Sequence, residues 1–395
     1  MKKIISIILA LIMSLCMTTT IFAEIGIYFK AESPADFYSN ANLDIDYDIT
    51  GAYLCEASTG KVLYAKNEFK AASPASVTKV MTLLLVCEAL EAGKYSLTDT
   101  VRVSANASSM GGSQVFLEEG EKITVEELIK ATVIASGNDS SVALAELTAG
   151  SESGFVKLMN KRAAELGLKN TNFENTTGLD DTTTNHYSCA ADIATMSREL
   201  IKHEIILKYS SIWQDTIRNG EFTLTNTNRL VRYYDGCNGL KTGSTDKAGF
   251  CISATAKRGN MQLIAVIMGA KTKDERNATA RELLDYGFAN FALYEKNEEF
   301  VENTSVIGGV KDTVDLFSAP FSTVIDKTKI SSVEQVFDIP EKIFAPISTY
   351  ESVGKIIYKI DGEQIGVSEI YVKEDIEAIS LGKIFGRIIK RIICG

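Results

Sequence analysis

The sequence predicts an α+β chain: an antiparallel sheet covered by a helical cluster, then a small all-β domain, then a terminal amphipathic helix. Three observations predict it. Hairpin patterns occur both before and after a long helix-rich stretch, so strands from both ends of the first domain must meet in one sheet. From about 297 to 377, short runs rich in Val, Ile and Tyr alternate with turns such as Asp361-Gly362 and Ile339-Pro340. The final residues repeat apolar side chains at helical spacing. With 395 residues, 45% apolar and 23% charged, the chain has material for two or three domains and a large core.

Taken in order, residues 1–23 read as a secretory signal peptide. Lys2 and Lys3 precede an apolar run from Ile4 to Leu15, and Ala23 offers a small residue at the cut. The run is too short for a comfortable membrane span, and Leu15 before Cys16 does not suit lipidation. Residues 24–47 are a polar lead-in. The first domain, 48–296, opens with a hairpin, Ala52–Cys55 and Lys61–Ala65 around Ser58-Thr59-Gly60. Helical periodicity then fills about 74 to 205. A strand near Lys241–Ser244 precedes a second hairpin, Cys251–Ala256 and Gln262–Met268, and Thr272 to Leu293 is helical again. The β-rich domain is 297–377.

Residues 378–395 hold four bases, Lys383, Arg387, Lys390 and Arg391, and no acid, in a chain whose formal net charge is −10. Leu381, Ile384, Phe385, Ile388, Ile389, Ile392 and Ile393 fill one half of the helical wheel. A basic amphipathic tail on an acidic body predicts peripheral anchoring of residues 381–395 in an anionic membrane surface. With the signal peptide, this places the protein at the outer face of the cytoplasmic membrane. The acidic balance argues against a nucleic-acid partner. The cysteines show no ligand spacing, and a core of this size needs no staples, so buried free thiols are expected.

Two histidines, His186 and His203, make a Ser-His-Asp triad or a histidine-built metal site a poor first reading. Another base has to serve any nucleophile. S-x-x-K occurs five times, but only Ser76-Val77-Thr78-Lys79 opens a long apolar helix. Ser73 is expected to cap it, Pro74 suits its first turn, and Gly93 ends it. Ser76 then has first-turn N–H groups around it, and Lys79 lies one turn deeper on the same face. Burial favours the neutral amine, which can accept the serine proton. Ser136-Gly137-Asn138 sits between two helical stretches, able to present a hydroxyl and an amide into a cleft. Lys241-Thr242-Gly243 lies on a strand, where lysine and threonine suit a carboxylate and Gly243 permits close approach.

These three signatures, in this order, resemble the active-site serine penicillin-recognising enzymes. The stretches Pro74–Thr82, Ser136-Gly137-Asn138-Asp139, Leu166–Thr171, Phe173-x-Asn175-x-x-Gly178-Leu179 and Gly239–Gly249 are similar to the low-molecular-mass penicillin-binding proteins that act as D-alanyl-D-alanine carboxypeptidases. The resemblance implies a β-lactamase/DD-peptidase-like catalytic domain acting on peptidoglycan stem peptides that end in D-Ala-D-Ala, inhibited by β-lactams, with no metal or cofactor. It assigns Ser76 as nucleophile, Lys79 as base and Ser136 as proton relay. Asn138 contacts the substrate peptide, and Lys241 and Thr242 bind the terminal carboxylate beside Gly243. The Ser244 and Ser76 backbone N–H groups form the oxyanion hole. Ser244 is smaller than the residue many relatives carry there, and His186 receives no role. Three rivals stand beside this reading. One is a β-lactamase with Glu174 assisting deacylation. Another is a DD-endopeptidase or transpeptidase, and the third is a non-enzymatic, membrane-tethered peptidoglycan scaffold.

Overall fold

The computed structural model describes residues 43, 45, 47–181 and 183–394. The expected signal peptide and nearly all of the lead-in lie outside them. Strands β1 (Gly51–Glu56) and β2 (Val62–Lys66) form the first hairpin. Helix α1 (Lys79–Glu91) follows, then a ribbon of β3 (Thr100–Arg102) and β4 (Lys122–Thr124) interrupted by the single turn α2 (Ala105–Ser108). Helices α3 (Val125–Val133), α4 (Asn138–Ala149), α5 (Glu152–Glu165), α6 (Ala190–Leu200) and α7 (Glu204–Ser210) complete the helical cluster. A second ribbon, β5 (Gln214–Ile217) and β6 (Phe222–Thr225), and a turn, α8 (Leu230–Tyr233), lead to β7 (Cys237–Thr245), β8 (Gly249–Arg258) and β9 (Met261–Ala270).

The main sheet runs β2-β1-β9-β8-β7 and is antiparallel throughout, so strands from both ends of the domain meet as expected. Alternation along β9 divides its side chains between two cores. Ile264, Val266 and Met268 join the helical cluster. Leu263, Ala265 and Ile267 face the other layer, where helix α9 (Lys273–Asn290) contributes Ala280, Leu283, Leu284 and Phe288. A period of 2 on a fully covered strand is what a three-layer packing requires.

Helix α1 runs through the middle of the helical cluster. Val80, Met81, Leu83, Leu84 and Val86 are buried around the circumference of its first two turns, and solvent-accessible charge enters only toward its end, at Glu88 and Glu91. Its start differs from the expected one. Residues Ala75–Thr78 form a 3₁₀ turn, Pro74 stands at the cap position without a side-chain bond, and Val77 N–H donates to the Pro74 carbonyl at 3.1 Å. Ser73 makes no cap, because the backbone has already taken that donor. At the other end Gly93 is left-handed (φ 68°), and Lys94 N–H closes on the Ala89 carbonyl at 3.0 Å, as glycine after a helix permits.

Five buried cysteines, Cys55, Cys87, Cys189, Cys237 and Cys251, are free thiols. Beyond α9 come β10 (Phe291–Lys296), β11 (Glu299–Ile307), β12 (Thr313–Ser318), β13 (Phe321–Asp326), β14 (Glu334–Asp338), β15 (Lys342–Phe344), β16 (Ser352–Ile360) and β17 (Glu363–Val372). β10 pairs with β13, and the others form a six-stranded sheet, β14-β16-β17-β12-β11-β15. Phe291, Leu293 and Val324 of the β10–β13 ribbon share a core with Phe288 of α9. Helix α10 (Leu381–Cys394) closes the chain, with Leu381, Phe385, Ile392 and Ile393 each at least two-thirds exposed. Among the described residues, no helix is long and apolar enough to cross a membrane.

The loop before α6 touches the start of α1 through a glycine. Gly178 has φ +83°, and a Cβ there would sit 1.8 Å from the Ala75 carbonyl oxygen. Gly178→Ala combines an unfavourable backbone conformation with a backbone clash, and is expected to cost about 2–5 kcal/mol. The midpoint of urea unfolding measures it.

Candidate active site

The turn of residues 75–78, the α3–α4 link, the loop of residues 173–179 and strand β7 converge on Lys79. Its side chain is 0% exposed. Nζ lies 3.1 Å from Ser76 Oγ, 2.6 Å from Asn138 Oδ1 and 2.9 Å from the Thr177 carbonyl. Asn138 Nδ2 donates to the Gly111 carbonyl at 2.6 Å, which fixes its amide with Oδ1 toward the lysine. Two of the three neighbours of Nζ are therefore oxygens that only accept. Charged, Nζ donates to all three; in its neutral form the amine would keep its two hydrogens for the two acceptor-only oxygens and turn its lone pair to the Ser76 hydroxyl. Burial, first, and the nearby Lys241 charge push the Lys79 pKa well below the ordinary lysine value, against an opposing effect of Asp139.

Ser76 itself is half-buried and reaches the cleft. Ser136 takes a left-handed backbone conformation (φ 65°) in the link between α3 and α4. Its Oγ accepts from Lys241 Nζ at 2.8 Å, and the same ammonium reaches the Thr242 carbonyl at 3.0 Å. Lys241 is 1% exposed. Burial and the charge of Arg276 lower its pKa to about 7. Thr242 Oγ1 donates to Thr227 Oγ1 at 2.8 Å. Gly243 lies flat against the serine turn: a Cβ there would be 2.7 Å from Ser76 N and 2.9 Å from both the Pro74 carbonyl and Val77 N. Ser244, next along, is exposed.

All eight residues singled out in the sequence thus belong to the segments that meet here. Asn138 also has a role toward the lysine. Asn138 is 1% exposed; its Oδ1 accepts from Lys79 and one Nδ2 hydrogen goes to Gly111, so its side chain holds the lysine with a second amide hydrogen to spare. Glu174 is committed elsewhere. Its Oε2 accepts from Thr184 N–H at 2.8 Å and Asn185 N–H at 2.9 Å, a loop-capping arrangement.

Sequence reading missed Arg276. It is 4% exposed in the first turn of α9, its guanidinium donates to Asn277 Oδ1, and burial lowers its pKa to about 10. The available signal was periodicity: Arg276 shares the buried face of α9 with Thr279, Ala280, Leu283, Leu284 and Gly287. Positive charge at the cleft comes from Lys241, with Arg276 near enough to act on it. The buried anion nearby, Asp139, spends its carboxylate on the N–H groups of Val115, Leu117 and Ser140.

Residues 39–272 match the family described as D-alanyl-D-alanine carboxypeptidase, and residues 288–378 match the penicillin-binding protein 5 C-terminal domain. The chain belongs to the D-alanyl-D-alanine carboxypeptidase family. It is 44% identical to D-alanyl-D-alanine carboxypeptidase DacF of Bacillus subtilis over 89% of this chain and 93% of that one. With D-alanyl-D-alanine carboxypeptidase DacC of Escherichia coli it shares 34% over 85% of each chain. Penicillin binding protein 5 from Haemophilus influenzae superposes with a TM-score of 0.74 at 33% identity, covering 84% of this chain and 98% of that one. Penicillin-Binding Protein D2 from Listeria monocytogenes, solved in the ampicillin bound form, superposes with a TM-score of 0.58 at 29% identity over 62% of this chain and all of that one.

The contact between β7 and the serine turn generates a test. Gly243→Ala forces the strand and the turn apart at three backbone atoms. Covalent labelling by a fluorescent penicillin is expected to slow by about a hundredfold while the circular dichroism spectrum stays that of the parent.

Proposed function

We propose that Ser76 is the nucleophile and Lys79 the general base of this serine-type D-Ala-D-Ala carboxypeptidase. The observation that carries the assignment is the buried amine 3.1 Å from the hydroxyl, with acceptor-only oxygens at 2.6 Å and 2.9 Å on its other sides. The substrate is the peptidoglycan stem pentapeptide. Ser76 Oγ forms a bond to the carbonyl carbon between the two terminal D-alanines as its proton passes to Lys79 Nζ. The developing oxyanion takes the backbone N–H groups of Ser76 and Ser244. The carbon–nitrogen bond then breaks, and the last D-alanine leaves with a proton returned through Lys79 and Ser136. Water attacks the remaining ester by the same proton route and restores Ser76.

Lys241 and Thr242 hold the substrate's terminal carboxylate, and Arg276 adds positive potential behind them. Asn138 orients Lys79. A β-lactam presents a strained amide in place of the scissile bond and acylates the same oxygen. The loop-capping role of Glu174 disfavours the β-lactamase reading. A scaffold without activity has no use for a lysine held in this state.

We further infer that the chain is exported, loses residues 1–23, and lies at the outer face of the cytoplasmic membrane through α10. The exposed apolar residues of that helix support a surface contact rather than packing on the protein. A chain ending at residue 380 is expected to keep its activity on soluble peptide and to stop sedimenting with anionic phosphatidylglycerol vesicles.

The decisive assay measures free D-alanine from a D-Ala-D-Ala-terminated pentapeptide. Release is expected from the parent chain, abolition by a penicillin, and neither release nor penicillin labelling from Ser76→Ala. The pH profile has a stated sign. Protonation removes the lone pair of Lys79, so kcat falls on the acid side. Lys241 loses its charge above about 7 in the empty site, so KM rises on the alkaline side.

A further inference from the structure

His186 was left without a role by the sequence, and the catalytic cycle does not use it. It is 4% exposed, and its ring packs edge-on against Phe173 with centroids 5.7 Å apart. Nδ1 accepts from the Glu174 backbone N–H at 3.1 Å. That bond requires Nδ1 to be unprotonated, so the proton of the neutral ring sits on Nε2. Nε2–H then donates to Thr78 Oγ1 at 2.8 Å. Burial favours this neutral form, lowering the pKa to about 4 against Glu174 and Asp180, with Lys247 acting in the same direction as burial.

The two ends of this bridge matter because of what lies between them. Thr78 is the residue before Lys79, in the same turn as Ser76. Glu174 begins the loop whose Thr177 carbonyl accepts from Lys79 Nζ at 2.9 Å. The loop is internally fixed: Asn175 Oδ1 accepts from Thr177 N–H at 3.2 Å and Gly178 N–H at 2.8 Å. The Thr176 carbonyl accepts from Thr82 at 2.8 Å and Ser141 at 3.1 Å. The Glu174 carboxylate returns the constraint by holding the N–H groups of Thr184 and Asn185, immediately before His186.

We propose that His186 is a positioning residue for the general base: its neutral, Nε2-protonated ring clamps the loop of residues 173–178 to the serine turn, so that the Thr177 carbonyl stays on Lys79 and water stays out. The proposal rests on Lys79 being the base.

Two variants divide the bridge. His186→Asn keeps an acceptor for Glu174 and loses Thr78, whereas His186→Gln keeps a donor for Thr78 and loses Glu174. In the full chain, each is expected to slow penicillin acylation about tenfold per active site. Each is expected to move the acid limb of acylation to higher pH, because a loosened loop re-solvates the ammonium, and to leave the KM for the pentapeptide unchanged. A purely structural histidine lowers the melting temperature and the fraction of titratable sites without moving that limb; rates and limbs equal to the parent's overturn the proposal. If neither variant folds, the ¹⁵N spectrum of the parent decides. A ring protonated on Nε2 and neutral at pH 5 supports the clamp, and a proton on Nδ1 overturns it. Lys79→Arg separates the two claims. Retained acylation there sinks the base assignment itself, whereas its loss together with unaffected His186 variants sinks only the clamp.

Discussion

The site depends on keeping one amine out of water. An ammonium in bulk solvent is a poor base, and a lysine on a wet helix face would stay charged at neutral pH. Here α1 supplies the dryness, because almost every residue around its first two turns is apolar and buried in the helical cluster. Desolvation alone would also let the amine drift. The Asn138 amide and the Thr177 carbonyl prevent this by claiming its hydrogens, and the lone pair is left with one direction to face. On the proposed role of Lys79, basicity and aim come from the same enclosure.

That enclosure is assembled by backbone approaching backbone. Gly243 of β7 and Gly178 of the 173–179 loop press on opposite parts of the serine turn, at separations that no side chain tolerates. The turn is correspondingly tight: a 3₁₀ segment with Ala75 at φ 47°, rather than the regular helix start that a Ser73 cap would have produced. With Ser76 as the proposed nucleophile, a loosely held turn would let its Oγ wander by about an ångström, enough to lose much of the advantage of proximity. Excluded volume supplies much of this rigidity, and the Thr78–His186 hydrogen bond adds to it.

Much of this is legible in the amino-acid sequence. The hairpins, the strand order that joins both ends of the domain, the burial around the first two turns of α1 and its Gly93 stop follow from local pattern. The three signatures located the serine, both lysines and the α3–α4 link because each couples a reactive residue to a recognisable local context. What stayed hidden depends on contacts between segments far apart in the chain. Arg276 arrives from a helix that follows the whole sheet. His186 acts across 108 positions on Thr78, and a lone histidine has no local signature. Asn138 lies beside Lys79, but the direction of its amide is set by the Gly111 carbonyl, which no spacing rule reveals.

The charges of the empty cleft add a further step. Lys79, Lys241 and Arg276 are all nine-tenths or more buried, each with a pKa pushed down chiefly by desolvation, and Lys241 lowers Lys79 further. On the proposed roles, a free enzyme therefore holds Lys79 neutral partly through repulsion from the carboxylate clamp. A substrate's terminal carboxylate, once bound to Lys241, cancels that field and strengthens the clamp's own charge. Lys79 then gains proton affinity just when Ser76 must surrender its proton. Recognition of the terminal carboxylate and activation of the nucleophile become linked through one electrostatic interaction. A peptide whose last carboxyl is blocked lacks that trigger even where its scissile bond is identical.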